Sequence, residues 1–289
     1  MNTVAIVGSN GFIGKKLSSH LESQHYNVKK FDSKTPISSN KDIKSQLSGV
    51  TELIWCASRV NPITAKLRKD LVDLELKEWR FFLNTCNSYL EPNQSVIFLS
   101  SGGCVYTAGN QFFSEEDEAL GINEYGRLKI AMESELAESG LPSKILRVAN
   151  TYGPNQPYGR GQGVIAEWVN SIISNREIIL YGELDSFRDY IFIEDLCFAI
   201  QSVIEYRGTE KILNIGTGVA TTLQDILDIL LKLEGEKISI RKMEARTIDR
   251  SGYSLNISRM KKEVGWTPKF SIQSGVFQTL NLTIGSFNN

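Results

Sequence analysis

The chain has 289 residues, 41% of them hydrophobic and 22% charged, which is the composition of an ordinary soluble globular protein with one large domain or two interleaved ones. Its 32 basic and 33 acidic residues leave a net charge of -1, which offers little to nucleic acid or to an anionic membrane. Four cysteines without paired or ligand-like spacing, and only two histidines, argue against a zinc site and for reduced thiols. The opening Met1–Gly8 has no basic segment and its apolar run stops at a glycine. It reads as neither signal peptide nor membrane span, so a cytoplasmic enzyme is expected.

In the first half, short β-branched or aromatic runs alternate with longer helical patterns, the signature of βαβ units around a parallel sheet. Strands are expected at Thr3–Val7, Tyr26–Phe31, Glu52–Cys56, Ser95–Ser100 and Lys144–Val148, and helices at Gly11–Ser23, Asp70–Ser88 and Tyr125–Ser139. The last two helices carry apolar faces (Leu74, Trp79, Phe82, Leu83, Cys86; Leu128, Ala131, Met132, Leu136) that suit a sheet or another subunit. Beyond Val148 the texture changes. Asn150 to Gly163 is rich in Gly, Pro, Asn and Gln and reads as a long loop. Helices follow at Val164–Ser174, Ile193–Tyr206 and Leu223–Glu234, with strands at Ile178–Tyr181, Ile212–Ile215 and Ile238–Lys242. Residues 1–153 are thus expected to hold a parallel-sheet α/β domain, and 154–289 a smaller, interleaved lobe closing over the carboxyl edge of the sheet.

The first strand runs into Gly8-Ser-Asn-Gly11-Phe-Ile-Gly14 and then a helix. In this context Gly8 permits the tight turn, Gly11 lets a pyrophosphate approach the backbone, and Gly14 lets helix and strand pack. Phe12 and Ile13 open the helix, whose free N–H groups and positive dipole end face the phosphates. Asp32 closes the next strand, where a carboxylate accepts from ribose hydroxyls and repels a 2′-phosphate. These features predict a Rossmann-type doubly wound α/β fold binding NAD; Lys34 nearby keeps NADP as the lesser option.

Tyr125 and Lys129 lie at i and i+4 of a predicted helix, so phenol and ammonium share one face. A neighbouring cation favours the phenolate and makes the phenol usable as a proton shuttle. Tyr26 and Lys30 repeat the spacing, but on a predicted strand they would stand about 13 Å apart.

The glycine loop, Asp32, Ser100-Ser-Gly-Gly-Cys-Val-Tyr106 and Tyr125-x-x-x-Lys129 occur in the order of one family. The chain resembles the extended short-chain dehydrogenase/reductases of the nucleotide-sugar epimerase/dehydratase branch. The likeness continues through Leu146–Pro154, Phe187–Asp195, Leu213–Gly218 and Glu263–Pro268. It implies Tyr125 as catalytic acid/base and Lys129 as the group that binds the nicotinamide ribose and lowers the tyrosine pKa. It implies a sugar nucleotide held by Asn150, Arg188 and Arg246, with Asp249 at the nucleoside ribose; a guanidinium fork suits a diphosphate. The alternative for Arg188 is a surface pair with Asp185 or Asp189.

Two departures stand out. The family places Ser or Thr where this chain has Gly102, so Ser101 becomes the candidate hydroxyl donor, with Cys104 also facing the sugar. The stretch between Asp32 and Glu52 is short, which abbreviates the usual third strand and leaves Asp42 and Ile43 as the candidate adenine contact. Ala57 and Ser58 match the turn beside the cofactor. The expected activity is NAD-dependent 4-epimerisation of a nucleoside-diphosphate sugar through a 4-keto intermediate. A reductase of a 4-keto-6-deoxy sugar nucleotide and a non-catalytic NAD-binding sensor are the alternatives. A 4,6-dehydratase is disfavoured because no Asp-Glu pair follows Gly102. A homodimer is implied, without metal, nucleic acid or membrane as partner.

Overall fold

Six strands form an all-parallel sheet in the order Ile212–Ile215, Ser143–Val148, Ser95–Ser101, Val50–Trp55, Thr3–Val7 and Asn27–Phe31. The computed structural model describes residues 2–37, 43–91, 93–107, 111–159, 161–234, 238–245 and 252–287. The inner strands are near-continuous apolar runs because helices cover both faces of the sheet. One face carries the helices Lys69–Tyr89 and Glu124–Glu138, packed on a core that includes Trp55, Trp79, Phe82 and Phe98. Fully buried Trp79 donates its indole N–H to the Met132 carbonyl at 3.1 Å, joining these two helices. The other face carries Phe12–Ser23 and Ile193–Glu205, linked by Lys16–Glu194 at 2.8 Å and by His20–Gln201 at 2.8 Å.

The chain leaves Thr3–Val7 toward Asn27–Phe31 on one side and continues at Val50–Trp55 on the other. This reversal opens a crevice beyond the carboxyl ends of the strands, the usual place for a ligand in such sheets. Among the described residues between Phe31 and Val50 there is no strand; Ile43–Leu47 is a short helix.

The predicted elements recur with ends shifted by one or two residues, as fraying and capping allow. Tyr26 and Lys30 do not meet: Tyr26 donates to Glu205, and Lys30 pairs with Glu22. Leu74, expected on a buried face, is 39% exposed, and its neighbour Glu75 points inward instead, 1% exposed. The loop expected from Asn150 begins as a strand, Asn150–Tyr152, paired with Tyr190–Phe192. The C-terminal helix Ile272–Phe287 was not expected. Its Gly275 packs under the Tyr152 ring, where a Cβ would lie 2.0 Å from the phenol oxygen. Residues beyond 153 do not form a separate body, since Ile212–Ile215 completes the main sheet and Ile193–Glu205 covers it.

Candidate active site

The first glycine of the loop has φ +88°, and a Cβ there would stand 2.7 Å from the Ala57 nitrogen. A Cβ on Gly14 would stand 2.2 Å from the Gly8 carbonyl oxygen, so both positions are closed to larger residues. Gly11 precedes the helix as its N-cap without a side-chain cap, leaving the first N–H groups directed at the crevice. Asp32 accepts from the backbone N–H groups of Lys34 and Thr35 at 2.7 and 2.8 Å, and from Asn10 of the glycine loop. The Thr35 and Lys34 amides hold its carboxyl below the usual aspartate value. A narrow glycine cradle, an uncapped helix start and an ionised carboxylate at the strand end fit a dinucleotide. Ala57 sits on the cradle itself, since the Cys56 N–H donates to Val7 at 2.8 Å. Ile43 packs on the apolar core rather than against the crevice. Asp42 lies outside the described residues.

One cavity of about 710 Å³ runs from Phe12 and Ile13, past Ser58, Tyr125 and Lys129, to Arg188. Tyr125 is the second residue of the helix Glu124–Glu138, whose N-cap Asn123 accepts from the Gly126 N–H at 2.8 Å. The helix start is bolted to the turn Gly102–Val105: Gly121 and Ile122 donate to the Val105 and Cys104 carbonyls at 2.8 and 3.0 Å. The Lys129 ammonium lies 5.4 Å from the centre of the Tyr125 ring, 5.2 Å from that of Phe98, and 3.3 Å from Glu75 Oε1. Lys129 and Glu75 are both buried. Removing either alone would leave a lone interior charge, at a cost of about 3–5 kcal/mol.

Burial raises Tyr125 above the ordinary tyrosine value; Lys129 pulls it down, Cys104 and Glu75 push it up, and a Ser58 hydrogen bond pulls it down. The lowering expected from Lys129 is therefore present but outweighed, and Tyr125 holds its proton at neutral pH. Burial also works against the Lys129 charge, yet Tyr125, Glu75 and Glu133 together keep its pKa above the ordinary lysine value.

At the other end, Ser101, Cys104, Asn150 and Arg188 all line the cavity. Gly102 does not, and this corrects its expected role at the sugar. Its Cα faces the core, where a Cβ would meet Leu255 at 2.6 Å. A side chain in that slot would have to displace the Leu255 methyl groups. Gly103 faces the cavity, and the space of its missing Cβ is taken by the Tyr253 phenol, 2.7 Å away. Tyr253 is 1% exposed, donates to Asn150 Oδ1 at 3.2 Å and lines the same cavity.

Arg188 makes no ion pair among the described residues; it donates to the Phe187 carbonyl at 2.7 Å and to Ser186 Oγ at 3.2 Å. Its neighbour Asp189 is fully buried and accepts from Thr217, Gly218 and Leu255. The Arg188–Asp189 pair weighed from sequence does not form. Arg246 and Asp249 lie outside the described residues. Sequence reasoning missed Glu75 and Tyr253. A lone acidic residue one turn before Trp79, on an otherwise apolar stripe, was a usable signal for Glu75. No local pattern marks Tyr253.

Among the described residues no group of acidic, histidine or cysteine side chains could hold a metal, and no helix is long and apolar enough to cross a membrane.

Residues 4–216 match the sequence profile of the NAD dependent epimerase/dehydratase family. The chain is 30% identical to dTDP-4-dehydro-6-deoxyglucose reductase of Escherichia coli, over 95% of each chain. It is 24% identical to a putative UDP-glucose 4-epimerase of Methanocaldococcus jannaschii, over 96% of this chain and 97% of the other. Among solved structures, UDP-glucose 4-epimerase of Thermotoga maritima superposes with a TM-score of 0.89 at 22% identity, covering 99% of both chains. These agreements in sequence, fold and cradle geometry converge: the chain belongs to the NAD dependent epimerase/dehydratase family, an enzyme family acting on nucleotide sugars, and NAD is its cofactor.

Proposed function

We propose that the protein transfers hydride at C4 of a nucleoside-diphosphate sugar, and that its net reaction is reduction of a 4-keto-6-deoxy sugar nucleotide. The observation that carries this reading is one continuous cavity with Tyr125 between the cofactor cradle and Arg188. When bound, the reduced nicotinamide supplies the hydride for the sugar carbonyl carbon. Tyr125 gives its proton to the carbonyl oxygen, so that a secondary alcohol results. Lys129 holds the nicotinamide ribose and steadies the phenolate left behind. Arg188, with Arg246 and Asp249, grips the nucleotide end, and binding energy from that end positions the sugar. Ser101, Cys104 and Asn150 contact the sugar, and residues 154–289 supply most of the substrate side.

Three points support net reduction. Tyr125 holds its proton at rest, as a proton donor must. The wall of Cys104 and Ile122 is apolar enough for the methyl of a 6-deoxy sugar. The relative at 30% identity over 95% of both chains carries a reductase name. The second reading is a 4-epimerase, favoured by the relative at 24% identity over nearly the full length and by Asp32, which suits a cofactor recycled in place.

Incubating the purified enzyme with NADH and dTDP-4-keto-6-deoxyglucose separates the two. One cofactor consumed per sugar reduced is the expected result. Formation of a 4-epimer from UDP-glucose without added cofactor, and no reduction of the keto sugar, would overturn the reductase.

We also propose a homodimer through the helices Lys69–Tyr89 and Glu124–Glu138, because Leu74 and Phe81 expose apolar area two turns apart on the first of them, 39% and 48%. Gel filtration with light scattering tests it; Phe81→Glu should give a monomer.

A further inference from the structure

We infer that Glu75 is a positioning residue for proton transfer: it holds Lys129 and Ser58, the two polar groups that meet Tyr125, and keeps Tyr125 a proton donor. The inference rests on the reading of Tyr125 as the acid/base. Glu75 comes from the apolar face of Lys69–Tyr89, among Trp79, Phe82, Leu83 and Cys86. Its carboxylate accepts from Ser58 Oγ at 2.9 and 3.0 Å, from the Arg59 N–H at 2.7 Å and from the Val60 N–H at 3.3 Å, and faces Lys129 Nζ at 3.3 Å. A buried carboxylate is costly and persists only where its partners repay it.

The groups facing Tyr125 are Lys129 from its own helix, Glu75 from the neighbouring helix, Ser58 from the turn after Val50–Trp55, and Cys104 from the turn after Ser95–Ser101. Glu133 lies on the far side of Lys129, but it is matched by buried Arg147 at 2.7 Å. The balance at Tyr125 is thus one ammonium against one carboxylate. A phenolate would face a neutral pair instead of a bare cation, and loses much of the help a lysine alone would give. Ser58 acts in the opposite sense, when its hydroxyl turns from Glu75 to donate to the phenolate.

The test is an ultraviolet titration of phenolate absorbance, read as the difference from Tyr125→Phe in the same background, with the protein as purified and again with NAD added. Glu75→Gln keeps the size of the side chain and removes the charge. Tyr125 should then titrate at a pH lower by about one unit or more. Glu75→Asp should restore the high titration, and Ser58→Ala should move it upward. Opposite displacements for the two positions cannot come from a general loosening of the fold, which moves both the same way and appears as a lower melting temperature. If Glu75→Gln does not fold, Glu75→Asp and Ser58→Ala still decide the matter through the retained high value and the upward displacement. No displacement in Glu75→Gln, or displacements of Glu75→Gln and Ser58→Ala in the same direction, would overturn the inference; where Glu75→Gln does not fold, an unmoved Ser58→Ala or a lowered Glu75→Asp would do so. Full activity of Tyr125→Phe with the titration still displaced would instead remove the proposed function and leave the Glu75–Tyr125 coupling standing.

Discussion

At the cofactor end of the cavity many of the deciding contacts join close neighbours in sequence: Gly14 lies on the Gly8 carbonyl, and Asp32 is held by Lys34 and Thr35, with Ala57 and Asn10 adding contacts from further along the chain. At the sugar end they join distant segments: Gly103 receives Tyr253, Gly102 is pressed on Leu255, and Lys129 meets Glu75. The first end is a local backbone device that any chain of this family can carry. The second is assembled by tertiary packing and can change one side chain at a time, which is where substrates and reactions diverge.

The contrast breaks most sharply at Gly14. Gly14→Ala places a Cβ 2.2 Å from a backbone oxygen that has no room to move, and should cost about 3 kcal/mol or more along with NAD binding. A thermal melt with and without NAD reads both, and an unchanged NAD-induced rise in melting temperature would contradict the cradle. Tyr125→Phe should lower kcat about a hundred- to ten-thousand-fold with little change in binding, measured by steady-state kinetics and cofactor titration. In the reductive direction Tyr125 is needed with its proton on, and the folded protein holds that proton more tightly than a free tyrosine. The wild-type rate should therefore fall only on the alkaline side, as pH rises through the raised Tyr125 value. The oxidative direction should gain there, and a loss of reductive rate toward neutral pH would reject Tyr125 as the acid.

Arg188→Ala should raise KM for the sugar nucleotide about ten- to a hundred-fold with kcat largely kept, because the charge-assisted bonds it loses act on the diphosphate throughout the reaction. A kcat defect without a KM change would place Arg188 elsewhere in the mechanism. Smallest of all, Gly102→Ser should lower stability by about 1–3 kcal/mol by pressing on Leu255, and should bring no gain in turnover. Faster turnover in that variant would show that the slot can serve the sugar after all. Cys104 sharpens the comparison without mutagenesis. Burial raises the Cys86 and Cys197 thiols to about 12 and pushes up that of Cys56, which also lines the cavity, whereas half-buried Cys104 should be the thiol that alkylates in the folded protein, more slowly with sugar nucleotide present.

Much of the frame was legible because its signals are local and periodic. The strand Thr3–Val7 running into Gly8, the helix Leu223–Glu234 and the strand Ile212–Ile215 could be read residue for residue. The two- and three-residue strands at Asn150–Tyr152, Phe187–Arg188 and Ser254–Leu255 could not, since pieces that short exist only through their partners. The helix Ile272–Phe287 was missed because Gly275, Asn281, Thr283 and Gly285 weaken its propensity, and the Gly275 contact with Tyr152 explains why the first of these is tolerated.

From the order of its residues alone this chain determined its sheet, its glycine cradle, Asp32 and the Tyr125–Lys129 pair, because each depends on backbone geometry or on the spacing of one helix. Only the tertiary structure decided how that pair behaves. Lys129 lies against Glu75 as well as Tyr125, in a site where burial outweighs the lysine's pull on the phenol. Burial first, and then charges that lie far apart along the sequence, set the proton of Tyr125, since electrostatic energy depends on the exclusion of water and on distance.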